Sequence, residues 1–237
     1  MSRYIALVAI FAMAFAEHWT VYDADRKLYC IILDAENVSM TVKFTALNGT
    51  VETYTASING THEVTGKCQD IYGNRTAQSL KVSFFPAGNN TPAIAAQPWE
   101  LEFIFGSDEK VAAFELLDYS LTTAPVWGVN ASSIYKFKKA DGQVDFQGHD
   151  KNAFKCSNSD LPLSNSSTID LKNVNVLAFA HLDQPQFPKQ QIFEQCLLDS
   201  RTSDIVPIVV GACLAGLVVI VLVAYLIGRA RAKQLKN

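Results

Sequence analysis

VSMTVKFT, Val38–Thr45, decides the fold class. Val38, Met40, Val42 and Phe44 alternate with Ser39, Thr41, Lys43 and Thr45. Successive side chains of a strand point to opposite faces, so this period of two describes a strand with one face in a core and one in water. The pattern recurs along the chain. Val51–Ile58 is rich in Thr and β-branched residues, Leu80, Val82 and Phe84 alternate with Ser79, Lys81 and Ser83, and Trp99, Leu101, Phe103 and Phe105 form another such face against Glu100 and Glu102. Val111–Leu121 and Ser133–Phe137 are further candidates. Ile169 and Leu171 begin an alternation that Val174, Val176 and Ala178 continue with opposite parity, which predicts a bulge near Lys172 and Asn173. Asn48-Gly49, Asn59-Gly60 and Asp141-Gly142 supply turn chemistry between the runs. A short helix is expected around Gln190–Leu198. The domain reads as all-β.

IVPIVVGACLAGLVVIVLVAYLIG, Ile205–Gly228, is a different kind of element. Its 24 residues carry no charge, and Arg229, Arg231 and Lys233 follow at once. At 1.5 Å per residue the helix is roughly 35 Å long, enough to cross a hydrocarbon core with modest tilt. Pro207 falls in the first turn of the run, where a missing N–H costs little. At the other end Arg3, the apolar run Tyr4–Phe15 and Ala14-Phe15-Ala16 before Glu17 have the layout of a secretory signal peptide. The basic residues after the span orient it by the positive-inside rule. The expected organisation is a signal peptide at 1–16, a lumenal β domain at 17–204, a transmembrane helix at 205–228 and a cytoplasmic tail at 229–237.

The formal net charge of −3 hides a partition, because the stretch Glu17–Asp204 carries 15 Lys plus Arg against 23 Asp plus Glu. An acidic lumenal part argues against a nucleic-acid partner. Cys30, Cys68, Cys156 and Cys196 are even in number, nearly equally spaced and bound for an oxidising compartment. Four cysteines allow three connectivities. The sequential one is preferred because it closes two similar loops. Cys213, inside the span, is left over. Asn37, Asn48, Asn59, Asn74, Asn89, Asn130 and Asn165 each open an N-x-[ST] acceptor, an excess that points to a heavily sugared surface. Pro92 after Thr91 makes Asn89 the weakest of them.

Catalytic chemistry has little to stand on in this sequence. His18, His62, His149 and His181 show no metal-ligand spacing, and no G-x-S-x-G, H-E-x-x-H or P-loop occurs. Asp108 and Glu109 read as a solvated turn, and Trp99 and Trp127 as core anchors of a sheet. The expectation is a protein that is not an enzyme, with no cofactor and no evident small-molecule substrate. Its partners are the lipid bilayer and candidate membrane proteins met through the span or the lumenal domain. Ala212 with Gly216, and Gly211 with Ala215, have the small-xxx-small spacing suited to a second helix.

Three stretches resemble one family, the lysosome-associated membrane glycoproteins (LAMPs). Gly211–Arg229, GACLAGLVVIVLVAYLIGR, is similar to that family's transmembrane signature. Cys156-Ser-Asn-Ser, then Leu171-x-x-Val174-x-Val176-Leu-Ala-Phe179, then Cys196-Leu-Leu-Asp199, resembles the second half of its membrane-proximal domain. Cys30, Gly66-Lys67-Cys68 and Leu80-Lys-Val-Ser-Phe84 match the first half more loosely. The resemblance implies a β-prism of two sheets with sequentially paired cysteines. It also implies a sugar-coated late endosomal or lysosomal membrane protein whose glycans shield the bilayer. Two departures are visible: room for one such domain rather than two, and a tail without the family's Gly-Tyr-x-x-apolar signal. A plasma-membrane or vesicle protein that sorts or adheres through another membrane protein is the alternative.

Overall fold

The computed structural model describes residues 17–45, 49–87, 97–108, 113–124, 134–142, 144 and 146–234. Two units are distinguished, Met1–Glu194 and Gln195–Asn237. Residues 1–16, read above as a signal peptide, lie outside the described residues.

The strands in chain order are β1 (Glu17–Asp23), β2 (Leu28–Ala35), β3 (Asn37–Thr45), β4 (Val51–Tyr72), β5 (Arg75–Ala87), β6 (Trp99–Asp108), β7 (Ala113–Thr123), β8 (Tyr135–Lys138), β9 (Gln147–Gly148), β10 (Ala153–Leu163), β11 (Ser167–Leu177) and β12 (Phe193–Gln195). One helix follows, α1 (Leu197–Gln234). The strands join in a single hydrogen-bonded path, β1-β2-β11-β3-β4-β5-β6-β7-β8, with β10 added on β11 and β9 on β7. The pairings are antiparallel. The two sheets that the family resemblance implied are here one continuous twelve-stranded sheet that packs against itself.

Two strands make that folding possible by changing partners along their length. β11 pairs with β3 through Thr168–Lys172 and with β2 through Asn175–Leu177. The change falls at Lys172 and Asn173, both exposed, where the inward parity switches and Asn173 takes a φ of 47°. The bulge read from the sequence is there. Glu36 kinks the chain between β2 and β3 at the same level: its N–H donates to Lys172 O at 2.9 Å, and its carboxylate accepts from the Asn173 amide at 2.5 Å. β4 behaves likewise, pairing with β3 through Val51–Ser57 and with β5 from Ser57 onward. The register shifts between Ile58 and His62, and Gly60 has a φ of 92°. Asn59-Gly60 is therefore not the turn expected but a bulge inside a 22-residue strand.

The core is largely aromatic. Trp19 of β1 lies 6.5 Å from Phe103 of β6, and Phe103 stacks on Phe105. Phe105 neighbours Phe146, which sits 4.5 Å from Phe154 of β10, and all five rings are at most 1% exposed. Phe44 meets Phe137 of β8 edge-on at 5.4 Å. Ring pairs of this kind hold about 0.5–1.5 kcal/mol beyond their area burial. Gly66 of β4 lets β1 approach: a Cβ there would stand 2.6 Å from a Val21 methyl and 2.2 Å from Ser79 O. Trp99 is a core anchor as expected, 1% exposed against Phe84. Trp127 is outside the described residues.

Several strand limits differ from the sequence reading. β7 begins at Ala113 and β8 at Tyr135, with Val111 and Ser133 outside the described residues. Pro86 and Ala87 close β5 rather than opening a connection, and 88–96 is not described. No helix occupies Gln190–Leu198 as a whole. Backbone bonds there go to a turn (Gln191 N–H to Pro188 O, 3.0 Å) and to Ala153, whose N–H donates to Ile192 O, so the segment is drawn onto β10 as β12. Helix begins only at Leu197.

Candidate functional site

The helical unit holds Val209–Ile227, mean hydropathy 2.8, with none of that window buried by protein. Apolar side chains cover its whole circumference, so a protein core would have to surround it or lipid must. A Cβ added at Gly211 or Gly216 would meet no atom within 4 Å, and Cys213 is an exposed free thiol. The small-xxx-small face is bare in this chain.

Within the β domain Cys30 of β2 bonds Cys68 of β4, with Cα atoms 5.6 Å apart. Cys156 and Cys196 are also disulfide-bonded, giving the second bridge. Gln78, 5% exposed, ties the first bridge to the end of β11: its amide donates to Cys68 O at 3.1 Å and its carbonyl accepts from Phe179 N–H at 2.8 Å. Beside them opens a cleft of about 640 Å³ whose lining includes Asp23, Arg26, Gln69, Asp70 and His181. The sequence held no sign of it, because those residues come from three separated segments.

The described Asn residues of the N-x-[ST] sequences lie on bends. Asn37 is exposed just after the Glu36 kink, and Asn74 is exposed in the two-residue Gly73-Asn74 turn joining β4 to β5. Asn165 is exposed with a φ of 59° in the turn between β10 and β11. Asn59 lies on β4 at the Gly60 bulge. Asn48, Asn89 and Asn130 fall outside the described residues.

The histidines that form ion pairs meet carboxylates, not one another. His18 Nδ1 is 2.6 Å from Asp34, and His62 Nδ1 is 3.4 Å from Glu17 while Nε2 accepts from the Trp19 indole at 3.2 Å. His149 is bound twice by Glu194, through its ring (2.8 Å) and its backbone N–H (3.1 Å), and the Asn152 amide donates to the same carboxylate at 2.7 Å. The Glu194 bond and charge hold the His149 imidazolium above its usual range. Burial pushes Glu194 up, but the His149 and Asn152 bonds outweigh it and leave the carboxyl low. Across β10 and β11, Asp160 and Asp170 stand directly opposite. Burial first, then the Asp160 charge and hydrogen bond, raise Asp170. Tyr119, whose hydroxyl donates to Pro162 O at 2.7 Å, is pushed up to about 12 by burial and the Asp118 charge. Asp108 ends β6, and Glu109 is outside the described residues. These groups clasp strands together. Sequence reasoning had singled out none of these pairs, since strand register decides which residues meet.

Comparison with known proteins adds to the geometry. Residues 206–234 match the family model for the transmembrane segment of lysosome-associated membrane glycoprotein 2. The candidate span is thus similar to a LAMP transmembrane segment. Lysosome-associated membrane glycoprotein 1 of Gallus gallus is 43% identical over 81 residues, 34% of this chain and 18% of the relative. The Homo sapiens protein of that name is 39% identical over 97 residues, 40% of this chain and 22% of its own length. The alignments thus span less than a quarter of these LAMP relatives. Among solved structures, the membrane-proximal domain of mouse LAMP-1 covers 78% of this chain and is itself covered to 98%, with a TM-score of 0.56 at 16% identity. The membrane-distal domain of mouse LAMP-2 gives 0.55 at 15% identity, covering 76% and 99%. The β unit has the LAMP-domain fold.

Proposed function

We propose that this chain is a heavily N-glycosylated type I protein of the late endosomal or lysosomal membrane that shields or organises that membrane through a sugared β domain. Residues 1–16 act as the cleaved signal, 205–228 cross the bilayer and 229–237 face the cytoplasm. The observation that carries the reading is a LAMP-type transmembrane segment joined in one chain to a β domain of LAMP fold. The acceptors at Asn37, Asn74 and Asn165 support the shielding part, because they occupy exposed bends. Backbone at such places is what proteases engage, and a glycan there blocks them sterically. The raised Asp170 and His149 groups suit an acidic lumen, since their protonated forms are favoured in the fold.

The test has two arms. Enzymatic removal of N-glycans from the protein made in animal cells shifts its mass by on the order of 10 kDa if most acceptors on surface Asn are used. A shift of one or two chains removes the shielding mechanism. Imaging an internally tagged chain at native expression places it with acidic late compartments; an exclusively cell-surface pattern refutes the localisation.

A further inference from the structure

The segment that leads from the β domain toward the helix presents apolar side chains outward on a fixed backbone. Ile192 is 65% exposed and Phe193 36%, with Phe187 against Phe193 at 5.4 Å. Their backbone is held: Ile192 O accepts from Ala153 N–H at 2.9 Å, and the Gln191 amide donates to Lys151 O at 2.7 Å. Lys189 is exposed on the same loop. The sequence FPKQQIF, Phe187–Phe193, therefore combines two rings, an aliphatic side chain and a cation on a loop that loses little freedom when it binds.

Chain length says what covers it. β12 ends at Gln195, Cys196 is locked in a disulfide, and helix runs from Leu197. The charge-free run begins at Ile205, only eight helical residues later, about 12 Å of rise. The polar layer of one leaflet is itself about 5–8 Å thick. The bridge at Cys196 keeps this leash from lengthening by unravelling β12. Ile192 and Phe193 precede Gln195 by two or three residues, about 10 Å of strand at most.

We propose that Phe187–Phe193 is a lipid-contacting foot of the β domain, with Ile192 and Phe193 at the boundary between headgroups and acyl chains and Lys189 among the phosphates. The inference rests on the transmembrane reading of Ile205–Gly228. The foot gives the β domain a second point of attachment beside the span.

Three single-thiol versions of the full chain test it, reconstituted in phosphatidylcholine–phosphatidylserine vesicles doped with a lipid nitroxide labelled near the headgroup. One carries a fluorophore on the native Cys213, and two carry Cys213→Ala with either Ile192→Cys or Val51→Cys. Val51 is 65% exposed at the β3–β4 turn, by strand register about 40 Å from the foot. The expected result is lipid quenching of the Ile192 probe several-fold above that of the Val51 probe, with the order reversed for aqueous iodide. Gln190→Cys, on the same loop and exposed, repeats the measurement should Ile192→Cys fail to fold. Ile192 and Gln190 probes quenched no more than Val51, while Cys213 is quenched, overturn the foot alone. An unquenched Cys213 overturns the span, and the foot with it.

Discussion

Gly66→Ala probes the packing that closes the sheet on itself. The added Cβ would lie 2.2 Å from Ser79 O and 2.6 Å and 3.0 Å from the two Val21 methyls. Ser79 is locked in the β4–β5 ladder opposite Lys67, so its carbonyl cannot retreat without loss of pairing. Val21 is 3% exposed and β-branched, so its methyls have nowhere to turn. Relief requires both that β1 lift away at Val21 and that the β4–β5 ladder give way at Ser79. Overpacking of this kind costs about 1–3 kcal/mol, and a backbone oxygen among the contacts argues for the upper half. For a domain of this size each kcal/mol lowers Tm by about 2–4 °C, so a fall of roughly 4–12 °C is expected. The assay is near-UV circular dichroism of the full chain in detergent, where Trp19 and Trp99 report the core. Gly49→Ala is the control: its φ is 82° but no atom stands within 4 Å of the new carbon, so it carries only left-handed strain of about 1–2 kcal/mol. Adding Val21→Ala to Gly66→Ala should relieve the methyl contacts and show favourable coupling. A Gly66→Ala melt no lower than that of Gly49→Ala, with no coupling to Val21, would refute β1 lying over β4.

Other consequences follow from the bridges and charges. Removing Cys30–Cys68 by a double serine substitution opens a loop of 38 residues and should cost about 4 kcal/mol in the chain-entropy model, read as a lower urea midpoint. Asp170 has a raised pKa, so it contributes stability below its unfolded value near 3.8 that is lost as pH rises through the folded value. Asp170→Asn should therefore be the more stable form at neutral pH, with the difference shrinking as the medium is acidified; a constant difference across pH would contradict the pair. His149 contributes stability below 6.5 that fades as pH rises through its raised value, and Glu194 contributes above its unfolded 4.5 down to its lowered one. Glu194→Gln should move the NMR titration midpoint of His149 downward, and an unmoved midpoint would disprove the clasp.

How much of this was legible in the sequence depends on what each strand buries. β3 reads cleanly because its inward Val38, Met40, Val42 and Phe44 alternate with half-exposed neighbours. β2 does not, because Cys30, Ile31, Ile32 and Leu33 are all buried and a run covered on both faces loses its period. β1 hides behind an inward Glu17, and β10 behind the polar stretch Ser157–Asp160. The parity change at Lys172 was visible as a broken alternation, whereas Asn59-Gly60 carried the same residues a hairpin uses and gave no sign that the strand goes on. Turn chemistry states that φ is positive; it does not state whether the chain reverses or only bends. That choice is made by long-range pairing, since Ser57 meets Ser39 on one side and Ala87 on the other. The charged pairs were illegible for the same reason. Asp160 and Asp170 become neighbours only through the β10–β11 register, and a slip of one residue would separate them. What the sequence states locally is which faces are wet; what the register adds is which wet residues face each other. In this chain those meetings, Glu36 with Asn173, His149 with Glu194 and Asp160 with Asp170, stand at or beside the places where strands bend, begin or change partner. The last two couple the folding of one continuous sheet to the protonation state of its surroundings.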